Sequence, residues 1–189
     1  MKTFKSFIER TKELRELGYH YNIDGKRTLT ESAIDPAVLK ALRDWTKANV
    51  KDCVLIGGLA LSYHGKARYT EDGDFLFLSA SDVPDTIGGF KRTRPHCFRH
   101  NETHVEIEVL DPEFLKLDAG LAKKIFDTAI ESDGVKVASR EGLIVSKLGR
   151  FNRRDQADIE HLVELPNSVS FVDWNLDKDQ LAKLAEFGV

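Results

Sequence analysis

Two aspartates, Asp72 and Asp74, stand either side of a single glycine just before the apolar run "FLFL". Alternate residues of a strand project from the same face, so both carboxylates can reach one divalent cation or two neighbouring ones. Taken alone, an Asp-Gly before a strand is more often a turn, and it is the neighbourhood that favours the metal reading. The stretch "THVEIEVL" adds weight to the metal reading. Its Val105, Ile107 and Val109 alternate with His104, Glu106 and Glu108, which predicts a strand with one apolar and one acidic face. Glu108 can supply a third carboxylate, whereas Glu106 reads more simply as the solvent side of an edge strand. Like charges gathered on one face repel, and such a cluster is tolerated best where a cation occupies it.

Upstream, Gly57-Gly58 ends the apolar "CVLI" and opens "LALSYHG", a strand followed by a short helix closed by Gly65. Free backbone N–H groups at such a helix start can face an anion. Phosphate and metal would then meet in one strand–helix–strand unit, as metal-assisted phosphoryl or nucleotidyl transfer requires. Downstream, "REGLIVSKLGRFNRRDQADIEHLVEL" places Lys147, Arg150 and Arg154 on one helical face if the helix runs on, with Asp155 and Asp158 one turn apart. The same residues serve equally well as a solvated face of Asp–Arg pairs. His96, Cys97 and His100 invite a zinc reading, but no second Cys or His pair accompanies them.

The elements that must hold these residues follow from periodicity and punctuation. "FKSFIERTKELREL" and "DPAVLKALRDWTKANV" read as helices, the second with Asp35 as N-cap and Pro36 in its first turn. Between them a polar stretch with a turn at Asp24-Gly25 reads as two short strands. "SDVPDTIGG" reads as a short helix or turn, "HCFRH" as a strand, and "AIESDGVKVAS" as a hairpin around Asp133-Gly134. Two helices broken at Asn152 follow, then a last one, "DKDQLAKLAEFG", closed by Gly188. The predicted class is α/β (α+β) in a single domain over 1–189: N-terminal helices in 1–50, a sheet core in 51–138, and a helical part in 139–189.

With 189 residues, 41% of them hydrophobic, the chain can bury one good core. A net charge of -3 excludes a general basic footprint, so a polyanionic partner must be met locally. Lys91-Arg92-Thr93-Arg94 with Arg99 is a modest basic cluster that could meet a polyanion, although such clusters are more often plain surface. Two cysteines make neither a disulfide framework nor a zinc spacing. The charged start "MKTFKSFIERTKELRELG" does not read as a signal peptide, and no apolar run is long enough for a bilayer, so the expectation is a cytoplasmic protein without a membrane partner.

"IGGLALSYHGKARYTEDGDFLFL" resembles the signature of the nucleotidyltransferase superfamily with the polymerase-β-like fold: a Gly-Gly at a helix start, then "hG..R.T", then D-x-D on the next strand. "VASREGLIVSKLGRFNRRDQADIEHL" is similar to a segment of its small bacterial branch, that of the AbiEii-type abortive-infection and toxin–antitoxin proteins, with a lysine on one helix and R-D-x-x-D on the next. The resemblance covers roughly residues 50 to 165. It implies a mixed sheet with helices on one face, an NTP substrate, and Mg²⁺ or Mn²⁺ held by Asp72, Asp74 and Glu108, which would also be the catalytic residues. Glu108 would act as ligand or as base to the acceptor. Gly57, Gly58, Arg68, Thr70, Lys147, Asp155 and Asp158 would bind the nucleotide, the last two by orienting Lys147 or the nucleotide itself. The acceptor of the nucleoside monophosphate would be a tRNA, a protein or a small molecule, with a cognate toxin or antitoxin as partner. A second implication, of a different class, is a protein that keeps the fold and acts by binding a partner. Two residues depart from the pattern: Gly73 replaces an apolar residue, which predicts a lost core contact and a looser strand, and Glu108 replaces a shorter aspartate.

Overall fold

The computed structural model describes residues 34–48, 50, 53–65, 70 and 72–189. The expected first helix, the polar stretch after it and Arg68 lie outside the described residues. Helix α1 (Pro36–Lys47) starts as its sequence predicts, with the Asp35 carboxylate accepting the Ala37 N–H at 2.8 Å. It buries Val38, Ala41, Leu42 and Trp45 along one face. Strand β1 (Cys53–Ile56) is wholly buried and passes into helix α2 (Gly57–Tyr63). Then come β2 (Asp72–Phe77), a 3₁₀ turn at Ala80–Asp82, β3 (Phe90–Arg94), β4 (Cys97–His100) and β5 (Glu106–Leu110). Helices α3 (Pro112–Leu115) and α4 (Ala119–Asp127), hairpin strands β6 (Ile130–Ser132) and β7 (Val135–Val137), and helices α5 (Arg140–Leu148), α6 (Arg153–Glu164) and α7 (Lys178–Ala185) complete the order. Among the described residues no helix is long and apolar enough to cross a membrane.

The strands form one seven-stranded mixed sheet in the order β3-β4-β5-β2-β1-β7-β6. β2 runs antiparallel to β1 and parallel to β5, which places the two acidic strands side by side at the centre. Alternation then divides β2 between two environments. Gly73, Phe75 and Phe77 are buried, and Phe75 stacks on Trp45 of α1 at 5.8 Å between ring centroids. Trp45 also meets Phe90 and Phe98 edge-on at 5.1 and 5.4 Å, so this one indole ties α1 to strands β2, β3 and β4. Asp72 and Asp74 point to the opposite face, as their spacing predicts.

Gly73 corrects an expectation. The space of the missing side chain is already filled: a Cβ there would lie 2.9 Å from Cδ1 of Ile107 and 3.0 Å from Cδ2 of Leu42. Glycine is therefore the residue that fits this packing, and no core contact is lost. Gly73→Val is expected to overpack the core and cost about 1–3 kcal/mol, a fall of several degrees in Tm by thermal denaturation. An unchanged or higher Tm would show that the strand has room after all.

The break expected at Asn152 is present, so the helix does not run on from α5 into α6. Phe151 adopts a left-handed backbone (φ 45°), and the Asn152 side chain accepts the N–H groups of Arg154 and Asp155 at 2.9 and 3.0 Å, starting a new helix. Arg154 consequently sits exposed at the start of α6 and does not share a face with Lys147 and Arg150. Helices α3 and α4 have no counterpart in the sequence reading, although Asp111-Pro112 and Asp118 are good start signals. The Asp111 side chain accepts from the Phe114 N–H, and that of Asp118 from the Leu121 N–H.

Candidate active site

Register brings the acidic residues together. Asp74 on β2 lies opposite Glu108 on β5 and opposite Ile56 on β1, and Asp72 lies opposite Glu106. Opposed residues project to the same face, so Asp72, Asp74 and Glu108 share one surface. Glu106 belongs to that surface but is taken by other partners: Arg99 reaches it at 2.6 Å and Arg94 at 3.2 Å. The Arg99 hydrogen bond holds its carboxyl below the usual range. Glu108 is exposed beside it.

Burial pushes the Asp74 carboxyl up to about 7, and the charges of Asp72 and Glu108 add to the rise, while Lys147 and Arg150 oppose it. Three carboxylates on one face thus make a strained anionic centre, with cationic side chains across from it. Among the described residues no group of three or more His, Cys, Asp or Glu is drawn into a ready-formed metal cage. The Asp72 carboxylate instead accepts a hydrogen bond from Thr70. The chemistry of the donor set still fits a hard divalent cation, because all the donors are carboxylate oxygens and the crowding of their charges is what such a cation relieves.

The glycine pair makes room for this arrangement. Gly57 has φ +69°, and a Cβ on it would fall 1.8 Å from Oδ2 of Asp74. A Cβ on Gly58 would crowd the Thr70 side chain at 3.2–3.4 Å. Gly57 therefore admits Asp74, and Gly58 admits the threonine that holds Asp72. The resemblance assigned the pair and Thr70 to the nucleotide; in the structure Gly57 lies against Asp74, Gly58 against Thr70, and Thr70 against Asp72.

On the other side of the carboxylates stands the end of α5. A cavity of about 50 Å³ is lined by Gly57, Asp74 and Glu108 from the sheet side and by Ser146, Lys147 and Arg150 from the helix side. That volume holds an ion or a water; the exposed Glu108 borders it, and Asp72 is exposed on the same face of β2 outside its lining. Lys147 is only 4% exposed. Its ammonium lies 2.9 Å from Oδ2 of Asp158 and 3.7 Å from Oδ1 of Asp155, both buried on α6. Arg150 reaches Oδ1 of Asp155 at 3.4 Å, while Oδ2 of Asp155 is buried without a hydrogen-bond partner. The solvated-face reading of Lys147 is therefore excluded, and the two aspartates orient the lysine. Gly149 sets the height of this group over the sheet: a Cβ there would lie 2.1 Å from the Leu115 carbonyl oxygen, so α5 ends pressed against α3. Sequence reasoning missed Gly149 and gave Arg150 no role; Arg150's spacing from Lys147 was the available signal.

The remaining candidates are structural. His64 Nε2 lies 2.8 Å from the Ala138 carbonyl oxygen, and burial holds its ring below the usual histidine range. His100 is buried between Asp44 (3.3 Å) and the Thr103 hydroxyl (2.8 Å), and Cys97 lies against Arg94, so no zinc site forms from them.

A glycine turn from strand to helix, an Asp-x-Asp strand and a third carboxylate strand beside it make up the arrangement that the resemblance implied for a nucleotidyltransferase. The chain belongs to the family described as nucleotidyltransferase of unknown function (DUF6036), whose model matches residues 36–182. No curated protein matches the chain. Among solved structures, the chain is similar to JHP933 from Helicobacter pylori at 19% identity, with 82% of this chain and 75% of that chain covered and a TM-score of 0.42.

Proposed function

We propose that the protein is a Mg²⁺-dependent nucleotidyltransferase that moves a nucleoside monophosphate from an NTP to an acceptor and releases pyrophosphate. The observation that carries the reading is the cavity with Asp74 and Glu108 on one wall and Lys147 and Arg150 on the other. Asp72, Asp74 and Glu108 would hold Mg²⁺ or Mn²⁺, which when bound supplies charge neutralisation at the phosphates. Lys147 of α5 and Arg150 just beyond its end would face the triphosphate, with Asp155 and Asp158 keeping the lysine in place. Glu108, which is exposed, would take the proton of an acceptor hydroxyl. Thr70 and the two glycines act earlier, by seating the aspartates. A toxin–antitoxin or phage-defence setting, with a cognate partner, rests on the resemblance of the two sequence blocks to the AbiEii-type branch.

Incubation with each α-labelled NTP, Mg²⁺ and bulk tRNA or cell extract tests this beside Asp72→Ala/Asp74→Ala. The expected result is label transfer by the wild type that falls at least about a hundredfold in the variant. Transfer that survives the double substitution would sink the metal-site reading. No transfer to any acceptor, with no Mg²⁺-dependent NTP binding, would leave the partner-binding role as the better account.

A further inference from the structure

The face that carries the carboxylates does not end at β5. Glu106 lies opposite Arg99 on β4, and Arg99 opposite Lys91 on β3. In the next row Glu108 lies opposite Cys97, and Cys97 opposite Arg94. Opposed residues share a face, so Lys91, Arg94 and Arg99 stand on the same surface as Asp72, Asp74 and Glu108. The hydrogen bonds agree, because the guanidinium groups of both Arg94 and Arg99 reach Glu106. All three cations are exposed. Among the described residues Glu106 is the one carboxylate paired with them, so three cations face one carboxylate on this platform. Its exposed ion pairs are also cheap to exchange for other anions. Arg94 feels the charge of Glu108 as well, which joins the platform electrostatically to the site.

In-line displacement puts the entering and leaving oxygens on opposite sides of the phosphorus. On the reading proposed above, the pyrophosphate leaves toward Lys147 and Arg150, so the acceptor must arrive from the other side. In the strand order the sheet continues from β5 through β4 to β3, so the β4–β3 platform flanks the carboxylates on the edge away from β1. Its charged side chains offer little to an apolar acceptor and suit a chain of phosphates.

We propose that β3 and β4 form the acceptor platform and that the acceptor is a polynucleotide, whose phosphates contact Lys91, Arg94 and Arg99 while a terminal hydroxyl reaches Asp74 and Glu108. The hydroxyl oxygen bonds to the α-phosphorus as the bond from that phosphorus to the bridging oxygen breaks. Pyrophosphate takes the electron pair, and the hydroxyl proton passes to Glu108. The inference rests on the nucleotidyltransferase reading but has its own readout.

The test is fluorescence anisotropy with a 5′-fluorescein single-stranded RNA of about 20 nucleotides, run with the full chain over a salt series. Three phosphate contacts predict a slope of about −2 in log K against log salt concentration. Arg94→Glu/Arg99→Glu is expected to weaken RNA binding by roughly thirtyfold or more and flatten that slope, with Mg²⁺-dependent NTP binding retained. Glu106→Gln, which frees the two guanidinium groups, is expected to tighten RNA binding severalfold, a direction that misfolding does not produce. RNA binding indifferent to the charge reversal would overturn the proposal. So would a wild type that binds Mg²⁺ and NTP but not RNA, or that labels protein alone in extract. Loss of Mg²⁺-dependent NTP binding in the wild type itself would instead defeat the reading of the site beneath it.

Discussion

Lys147→Ala is expected to destabilise the protein by about 3–5 kcal/mol, enough to lower Tm by roughly 10 °C. The lysine is 4% exposed and the aspartates that face it, Asp155 and Asp158, are 2% and 3% exposed. Removing the ammonium leaves two carboxylates out of water, with Arg150 at 3.4 Å as the cation that remains beside Asp155. One oxygen of Asp155 already lacks a hydrogen-bond partner, so the group has little in reserve. The triple variant Lys147→Met/Asp155→Asn/Asp158→Asn removes all three charges at similar volume. It is expected to regain most of the lost stability while failing to bind NTP. Urea denaturation of the three proteins checks both parts, and a Lys147→Ala protein as stable as the wild type would show that the ammonium does not hold the two helices together.

Asp74→Asn is expected to do the reverse, raising the stability of the metal-free protein at pH 8 while abolishing Mg²⁺-dependent NTP binding. The carboxyl moves from 3.8 in a free chain to about 7 in the fold, chiefly through burial and then through Asp72 and Glu108. The sign follows from proton counts. Between these values the native state binds more protons than the unfolded state, so stability falls as pH rises from about 4 to 7, and above 7 the full penalty is present. Asp74 is only half-buried, and after allowance for solvent screening the penalty is on the order of 2 kcal/mol, or about 5 °C in Tm. In EDTA the wild type should melt lower at pH 8 than at pH 5, and the asparagine variant should show less of this difference. Added Mg²⁺ should then raise Tm of the wild type alone. A variant that melts below the wild type at pH 8 would show that the carboxylate is not under electrostatic strain.

Much of this site was legible in the chain because its signals are local. The spacing of Asp72 and Asp74, the alternation of 104–109 and the Asp35-Pro36 start each depend on a few consecutive residues, and each reappears in the structure. What was not legible depends on packing between distant segments. The environment of Gly73 is set by Leu42 and Ile107, which lie far from it along the chain. The closeness of Gly149 to Leu115 is likewise a contact between helices. The break between α5 and α6 lay between these extremes. Asn152 announced a polar interruption, but whether the helix would bend or restart turned on a left-handed Phe151 that sequence periodicity does not report.

The 1.8 Å between a Cβ on residue 57 and the carboxylate of Asp74 has a consequence for descent as well as for packing. The two positions exclude each other's enlargement, so a side chain can appear at 57 only in a lineage where the residue at 74 has already shortened or turned away. Conversely, a relative that has abandoned this carboxylate gains room at 57, while the left-handed backbone there (φ +69°) continues to favour glycine. Any drift toward a purely partner-binding role should therefore be recorded first at position 74, with a side chain at 57 only afterwards.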